Sequence, residues 1–119
     1  MVKKLPVTIY HNPRCSKSRQ TLNLLREHGI EPDIVEYLKE PPDAATLKAV
    51  LCKLNIQPID LIRKKEPLFK ELNLAAKADD NETLIKTMLE HPILIERPIV
   101  IKGDHARLGR PPEQVLEIL

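Results

Sequence analysis

Apolar residues follow two rhythms along this chain. Val7-Thr8-Ile9-Tyr10 alternates like a half-buried strand, and Asp33-Ile34-Val35-Glu36-Tyr37-Leu38 alternates well enough to predict a second one. Between them Leu22, Leu24 and Leu25 predict a helix from about Ser16 to His28, with Gly29 as its C′ residue. Helical spacing returns at Leu47, Val50, Leu51 and Leu54, behind Asp43 as the N-cap, with Cys52 pointing away from that stripe. A turn near Pro58 to Ile62 precedes a short helix begun by Pro67 and carrying Leu68, Phe69 and Leu72. Asp80 or Asn81 then caps a helix striped by Leu84, Ile85, Met88 and Leu89, which Pro92 ends.

Strand character resumes in Pro98-Ile99-Val100-Ile101 and Ala106-Arg107-Leu108-Gly109, with Gly103-Asp104 as turn material, so a β-hairpin is predicted. Pro111-Pro112 opens a last helix carrying Val115, Leu116 and Leu119. The order is β-α-β, several helices, then β-β-α. That order predicts an α/β fold whose central sheet mixes parallel and antiparallel strands. Over 119 residues it reads as one domain, with the helices of about 41–95 inserted between the second strand and the hairpin.

Composition narrows the function classes. Tyr10, Tyr37 and Phe69 are the whole aromatic content, so the core must be aliphatic and a base-stacking surface is disfavoured. A formal charge of +2 and the single basic block Arg63-Lys64-Lys65 predict no nucleic-acid partner. No apolar stretch reaches transmembrane length and Met1-Val2-Lys3-Lys4-Leu5-Pro6 leads into no signal-peptide core, which predicts a cytoplasmic protein with no membrane partner. In that reducing compartment Cys15 and Cys52 are free thiols.

Cys15 is the cysteine to weigh as a catalyst. It sits where the first strand gives way to the first helix, in His11-Asn12-Pro13-Arg14-Cys15-Ser16-Lys17-Ser18-Arg19. Unsatisfied N–H groups at a helix start favour the nucleophilic thiolate, Arg14, Lys17 and Arg19 add positive charge, and His11 could donate a hydrogen bond or charge. An inert cysteine in a turn is the competing reading. Ser18 stands three positions on, so no local Cys-x-x-Cys disulfide can form. Thr21 stands six positions on, so the Cys-x5-Arg phosphatase loop is absent. Such a nucleophile needs its oxyanion partners from elsewhere. Arg63, Arg97 and Arg110 are the obvious suppliers, because guanidinium groups bind tetrahedral oxyanions bidentately, although each alone also reads as a solvated surface charge. His28, His91 and His105 lack metal-ligand spacing, and three glycines cannot build a phosphate-cradling loop.

Taken together, Tyr10-His11-Asn12-Pro13-Arg14-Cys15, Leu61-Ile62-Arg63-Lys64, His91-Pro92-Ile93-Leu94-Ile95-Glu96-Arg97-Pro98-Ile99-Val100 and Arg110-Pro111-Pro112-Glu113 resemble the motifs of the glutaredoxin-coupled arsenate reductase family. The resemblance covers essentially the whole chain and is greatest to the short YfgD-like subgroup. It implies a thioredoxin-like fold and the reduction of arsenate to arsenite, with arsenate or a similar oxyanion as the bound partner. No bound cofactor is implied; glutathione is the co-substrate and glutaredoxin the protein partner. Cys15 matches the attacking nucleophile and His11 the histidine that favours its thiolate. Arg63, Arg97 and Arg110 match the oxyanion-binding arginines, and Arg97-Pro98 matches the cis-proline of thioredoxin-like folds. Departures are Ser16-Lys17-Ser18-Arg19, where characterised reductases tend to carry Gly-Thr-Ser-Arg, and Gly109, where some carry cysteine.

Two other classes compete. A Spx-type transcription regulator that binds RNA polymerase resembles the same fold, but such regulators typically sense oxidation with two cysteines, and Ser18 fills the second position. A general glutathione-dependent thiol reductase would use Cys15 and leave the three arginines without a shared task.

Overall fold

The computed structural model of the protein describes residues 5–119; Met1–Lys4, read above for leader character, lie outside the described residues. Two compact units are formed, one of Met1–Glu40 with Arg97–Leu119, the other of Pro41–Glu96. No helix among the described residues is long and apolar enough to cross a membrane.

The first unit holds β1 (Val7–Tyr10), α1 (Ser16–Glu27), β2 (Asp33–Val35), β3 (Ile99–Lys102), β4 (His105–Leu108) and a terminal 3₁₀ helix, Pro112–Ile118. The sheet order is β2-β1-β3-β4, with β1 parallel to β2 and antiparallel to β3, and β3 antiparallel to β4. Ile9 and Val100 are direct partners across β1 and β3, and both are fully buried. With Val7 they form one core with Leu22 and Leu25 of α1 and Val115 of the terminal helix. Each such burial contributes ~1.5–3 kcal/mol, and a one-residue slip of β1 would replace Ile9 by Thr8 in that layer, so the core fixes the register. That register fixes where β1 delivers the chain to Cys15.

Helix α1 ends in a Schellman motif: the N–H of Gly29 donates to the Arg26 carbonyl (3.0 Å) and that of Ile30 to the Leu25 carbonyl (3.0 Å). Gly29 takes the left-handed conformation this requires, at φ +76°.

Three expectations change here. Strand β2 stops at Val35 rather than Leu38, because the Glu36 carbonyl accepts the N–H groups of Lys39 and Glu40 and turns the chain. Tyr37 is still buried, while Leu38 is exposed. Leu24, expected to face inward with Leu22 and Leu25, is only partly buried at the margin of the core. The last helix is 3₁₀ rather than α. Pro112, Val115 and Ile118 recur every third residue, and only that tighter winding stacks them on one side.

The second unit is helical: α2 (Ala44–Leu54), α3 (Pro58–Leu61), α4 (Pro67–Glu71) and α5 (Asn81–Glu90), with 3₁₀ turns at Leu74–Lys77 and Pro92–Leu94. Asp43 caps α2 by accepting the Thr46 N–H (2.8 Å), and Asp80, not Asn81, caps α5 by accepting the Thr83 N–H (3.2 Å). The stripes Leu47, Val50, Leu51 and Leu84, Ile85, Met88 are buried where α5 packs against α2 and α3. Leu54 and Leu89, expected to extend those stripes, are only partly buried. An antiparallel bridge pairs Ile62 with Ile95 and sets Arg63 beside Glu96.

Candidate active site

The loop between β1 and α1 is held by its own backbone. The His11 N–H donates to the Val35 carbonyl (2.9 Å), and the Arg14 N–H to Asn12 Oδ1 (3.0 Å). The Cys15 N–H closes the turn on the Asn12 carbonyl (3.0 Å). Arg19 Nη1 ties down the Pro13 carbonyl (2.9 Å). Cys15 is itself the N-cap of α1, with extended backbone and with its carbonyl accepting the Arg19 N–H (3.0 Å). Cys15 is only 9% exposed, and its side chain stands where a capping serine or aspartate would take up the free N–H groups of the first turn.

Burial alone would push the Cys15 thiol up, but opposing groups outweigh it and hold it below the usual thiol range. They are the Ser18 N–H, the Arg97 charge, the Lys17 N–H and the Arg110 charge. The neutral thiol makes no capping hydrogen bond; those N–H dipoles favour the thiolate that would accept one. Arg110 Nη2 lies 3.9 Å from the sulfur, and Arg110 Nε donates to the Arg97 carbonyl (2.8 Å). Both Arg97–Pro98 and Arg110–Pro111 are cis.

The expected helpers sort differently from the sequence reading. The charges acting on the sulfur are the distant Arg97 and Arg110, rather than the neighbouring Arg14, Lys17 and Arg19. His11 Nδ1 bonds Ser18 Oγ (2.6 Å), and that hydroxyl also accepts the Asn12 N–H (3.0 Å). Burial lowers the His11 pKa, Glu36 opposes this, and Arg26 and Arg19 reinforce it, so the ring is neutral near neutral pH. Ser18, read in the sequence only as a missing second cysteine, is fully buried and links the strand end to the helix start. Arg63 belongs to the helical unit, where Nη1 pairs with Glu66 (2.7 Å) and Nε with Glu96 (4.0 Å).

Cys52 is exposed on α2. Among the described residues no three His, Cys, Asp or Glu side chains gather closely enough to hold a metal ion. A cavity of about 710 Å³ opens beside Val7, Ile30 and Leu119, and neither Cys15 nor the arginines line it.

A buried N-cap cysteine with two arginines brought to it from the far end of the chain gathers positive charge around one sulfur. Comparison with known proteins gives the family. The profile of the ArsC family matches residues 10–118. The uncharacterised protein YfgD of Escherichia coli (strain K12) is 58% identical over 95% of this chain and 96% of its own length. The arsenate reductase of Haemophilus influenzae is 49% identical over 97% of this chain and all of its own. Among solved structures, the arsenate reductase from Vibrio cholerae superposes with a TM-score of 0.94 at 49% identity, over 98% of this chain and all of that one. The mixed four-stranded sheet with its helices is the thioredoxin-like fold of those reductases. By sequence profile, relatives and architecture alike, the chain belongs to the ArsC family.

Proposed function

We propose that this protein is an oxidoreductase that reduces arsenate to arsenite through the single nucleophile Cys15, with glutathione and glutaredoxin as external reductants. The 3.9 Å approach of Arg110 Nη2 to the Cys15 sulfur carries this reading. Arsenate is a tetrahedral oxyanion, and a thiolate meets it only where cations offset the repulsion. Arg97, Arg110 and the open N–H groups of α1 supply that compensation, and the same groups stabilise the charge that moves as arsenic loses an oxygen. The assignment of Arg63 as a third oxyanion ligand rests on the motif resemblance.

The electron balance requires a second thiol. Arsenate takes up two electrons in becoming arsenite, and Cys15 with glutathione supplies them by ending as a mixed disulfide. Cys15 forms the sulfur–arsenic bond as an oxygen leaves as water. The glutathione thiolate then attacks the Cys15 sulfur, and the sulfur–arsenic bond breaks with its electron pair left on arsenic, which departs as arsenite. A glutaredoxin thiol reduces the mixed disulfide and returns Cys15. Ser18 leaves no resolving cysteine beside Cys15, so the second thiol comes from outside. His11 acts in this scheme as a neutral ring that fixes Ser18, and through it the helix start that favours the thiolate. A glutathione-rich cytoplasm is the setting this chemistry needs.

Arsenate-dependent turnover with glutathione, glutaredoxin and a glutathione-recycling couple tests the coupling. Leaving out either glutathione or glutaredoxin should abolish sustained turnover. Undiminished multiple turnover with neither present would overturn the proposed reductants.

A further inference from the structure

We propose that Gly109 is a positioning residue of the oxyanion site: because it has no side chain, the end of β4 closes against α1 and carries Arg110 to the Cys15 sulfur. Gly109 is buried, and its N–H donates to the Pro98 carbonyl (3.0 Å), one residue beyond the β3–β4 ladder. A Cβ placed there would lie 2.7 Å from the Pro98 ring and nearer still to Thr21 Oγ1, with Thr21 Cγ2 at 3.2 Å. Pro98 can repucker. Thr21 has less freedom, because it is fully buried and its hydroxyl donates to the Lys17 carbonyl (2.8 Å) in the first turn of α1. In this chain a Cβ at 109 therefore pushes the strand end away from the helix that Cys15 caps.

Arg110 follows directly, so that displacement is felt first in two contacts: Arg110 Nε to the Arg97 carbonyl and Arg110 Nη2 to the Cys15 sulfur. The left-handed glycines Gly29 and Gly103 serve turns; Gly109 has no positive φ and is required for space alone.

The test is a size swap read at the thiol and in turnover. Gly109→Ala should raise the thiolate pKa, followed by ultraviolet absorbance, by about half a unit or more. It should also raise the arsenate KM and cut kcat/KM roughly 10- to 100-fold, as small misplacements of a binding group do. Thr21→Ala in the same chain removes the obstructing atoms and should restore most of both, whereas Thr21→Val keeps the bulk and should restore neither. Wild-type values in Gly109→Ala, or equal rescue by Ala and Val, overturn the proposal. Where Gly109→Ala alone fails to fold, a folded Thr21→Ala/Gly109→Ala protein with a wild-type titration supports it. A double variant that stays unfolded or titrates high overturns it. The kinetic arm rests on the arsenate reading, while the titration needs no arsenate, so the two failures are separable.

Discussion

Arg110 Nη2 stands 3.9 Å from Cys15 Sγ across 95 positions of sequence. Cys15 and this arginine are brought together by the sheet, since β1 leads to one and β4 to the other. Half of the site is thus local to the first strand–helix junction, and the other half arrives with the C-terminal hairpin.

The first consequence is a displaced thiol titration. The Cys15 pKa should lie below that of an ordinary cysteine, as the Ser18 and Lys17 N–H groups and Arg97 and Arg110 outweigh burial. Alkylation should therefore remain fast at pH values where a free thiol has slowed, and fall only as pH drops through the lowered value. Arg110→Ala should move the profile upward by ~1 unit. An ordinary profile in the wild-type protein would contradict the activated nucleophile.

Ser18→Ala leaves the part-buried Asn12 N–H and the buried His11 Nδ1 without their shared partner. The expected loss is ~1–3 kcal/mol in urea unfolding, with a raised Cys15 pKa as the helix start loosens. Unchanged stability and titration would show that this hydroxyl holds nothing in place.

His11 gives a pH signature of its own. The unfolded chain protonates it near 6.5 and the folded chain only at lower pH, because burial disfavours the imidazolium. Between those values the unfolded state binds more protons, so stability declines as pH falls below 6.5. His11→Asn should flatten that part of the curve, which urea midpoints measured from about pH 7 to about pH 5 would reveal. A wild-type slope in the variant would assign the effect to other groups.

Gly29→Ala tests the end of α1. No atom lies within 4 Å of the missing Cβ, so the cost is backbone strain alone, ~1–2 kcal/mol at a left-handed φ. Asn should be milder, since it tolerates that conformation. Calorimetric melting that ranks Ala no worse than Asn would refute the Schellman assignment.

Much of this was readable in the sequence. Leu22 and Leu25 marked the buried face of α1, Asp43 the cap of α2, and Gly29 the Schellman turn. What escaped depended on long-range contacts. Gly109 carries no local signal, because only the folded hairpin brings Thr21 and Pro98 against it. Ser18 looked like an absence until its hydroxyl was seen bonded to His11. Arg97 and Arg110 were read, together with Arg63, as oxyanion partners for Cys15, but no local pattern shows whose charge acts on its sulfur. The Glu36 turn that shortens β2 is a backbone event with no residue pattern to announce it.

Arsenite formation from arsenate, with glutathione and glutaredoxin supplied in excess, compared between the wild-type protein and Cys15→Ser, reaches the central claim most directly. Sustained arsenite release by the wild type and none above background by Cys15→Ser is the predicted result. Equal release by the two proteins, or none by the intact protein, would contradict it.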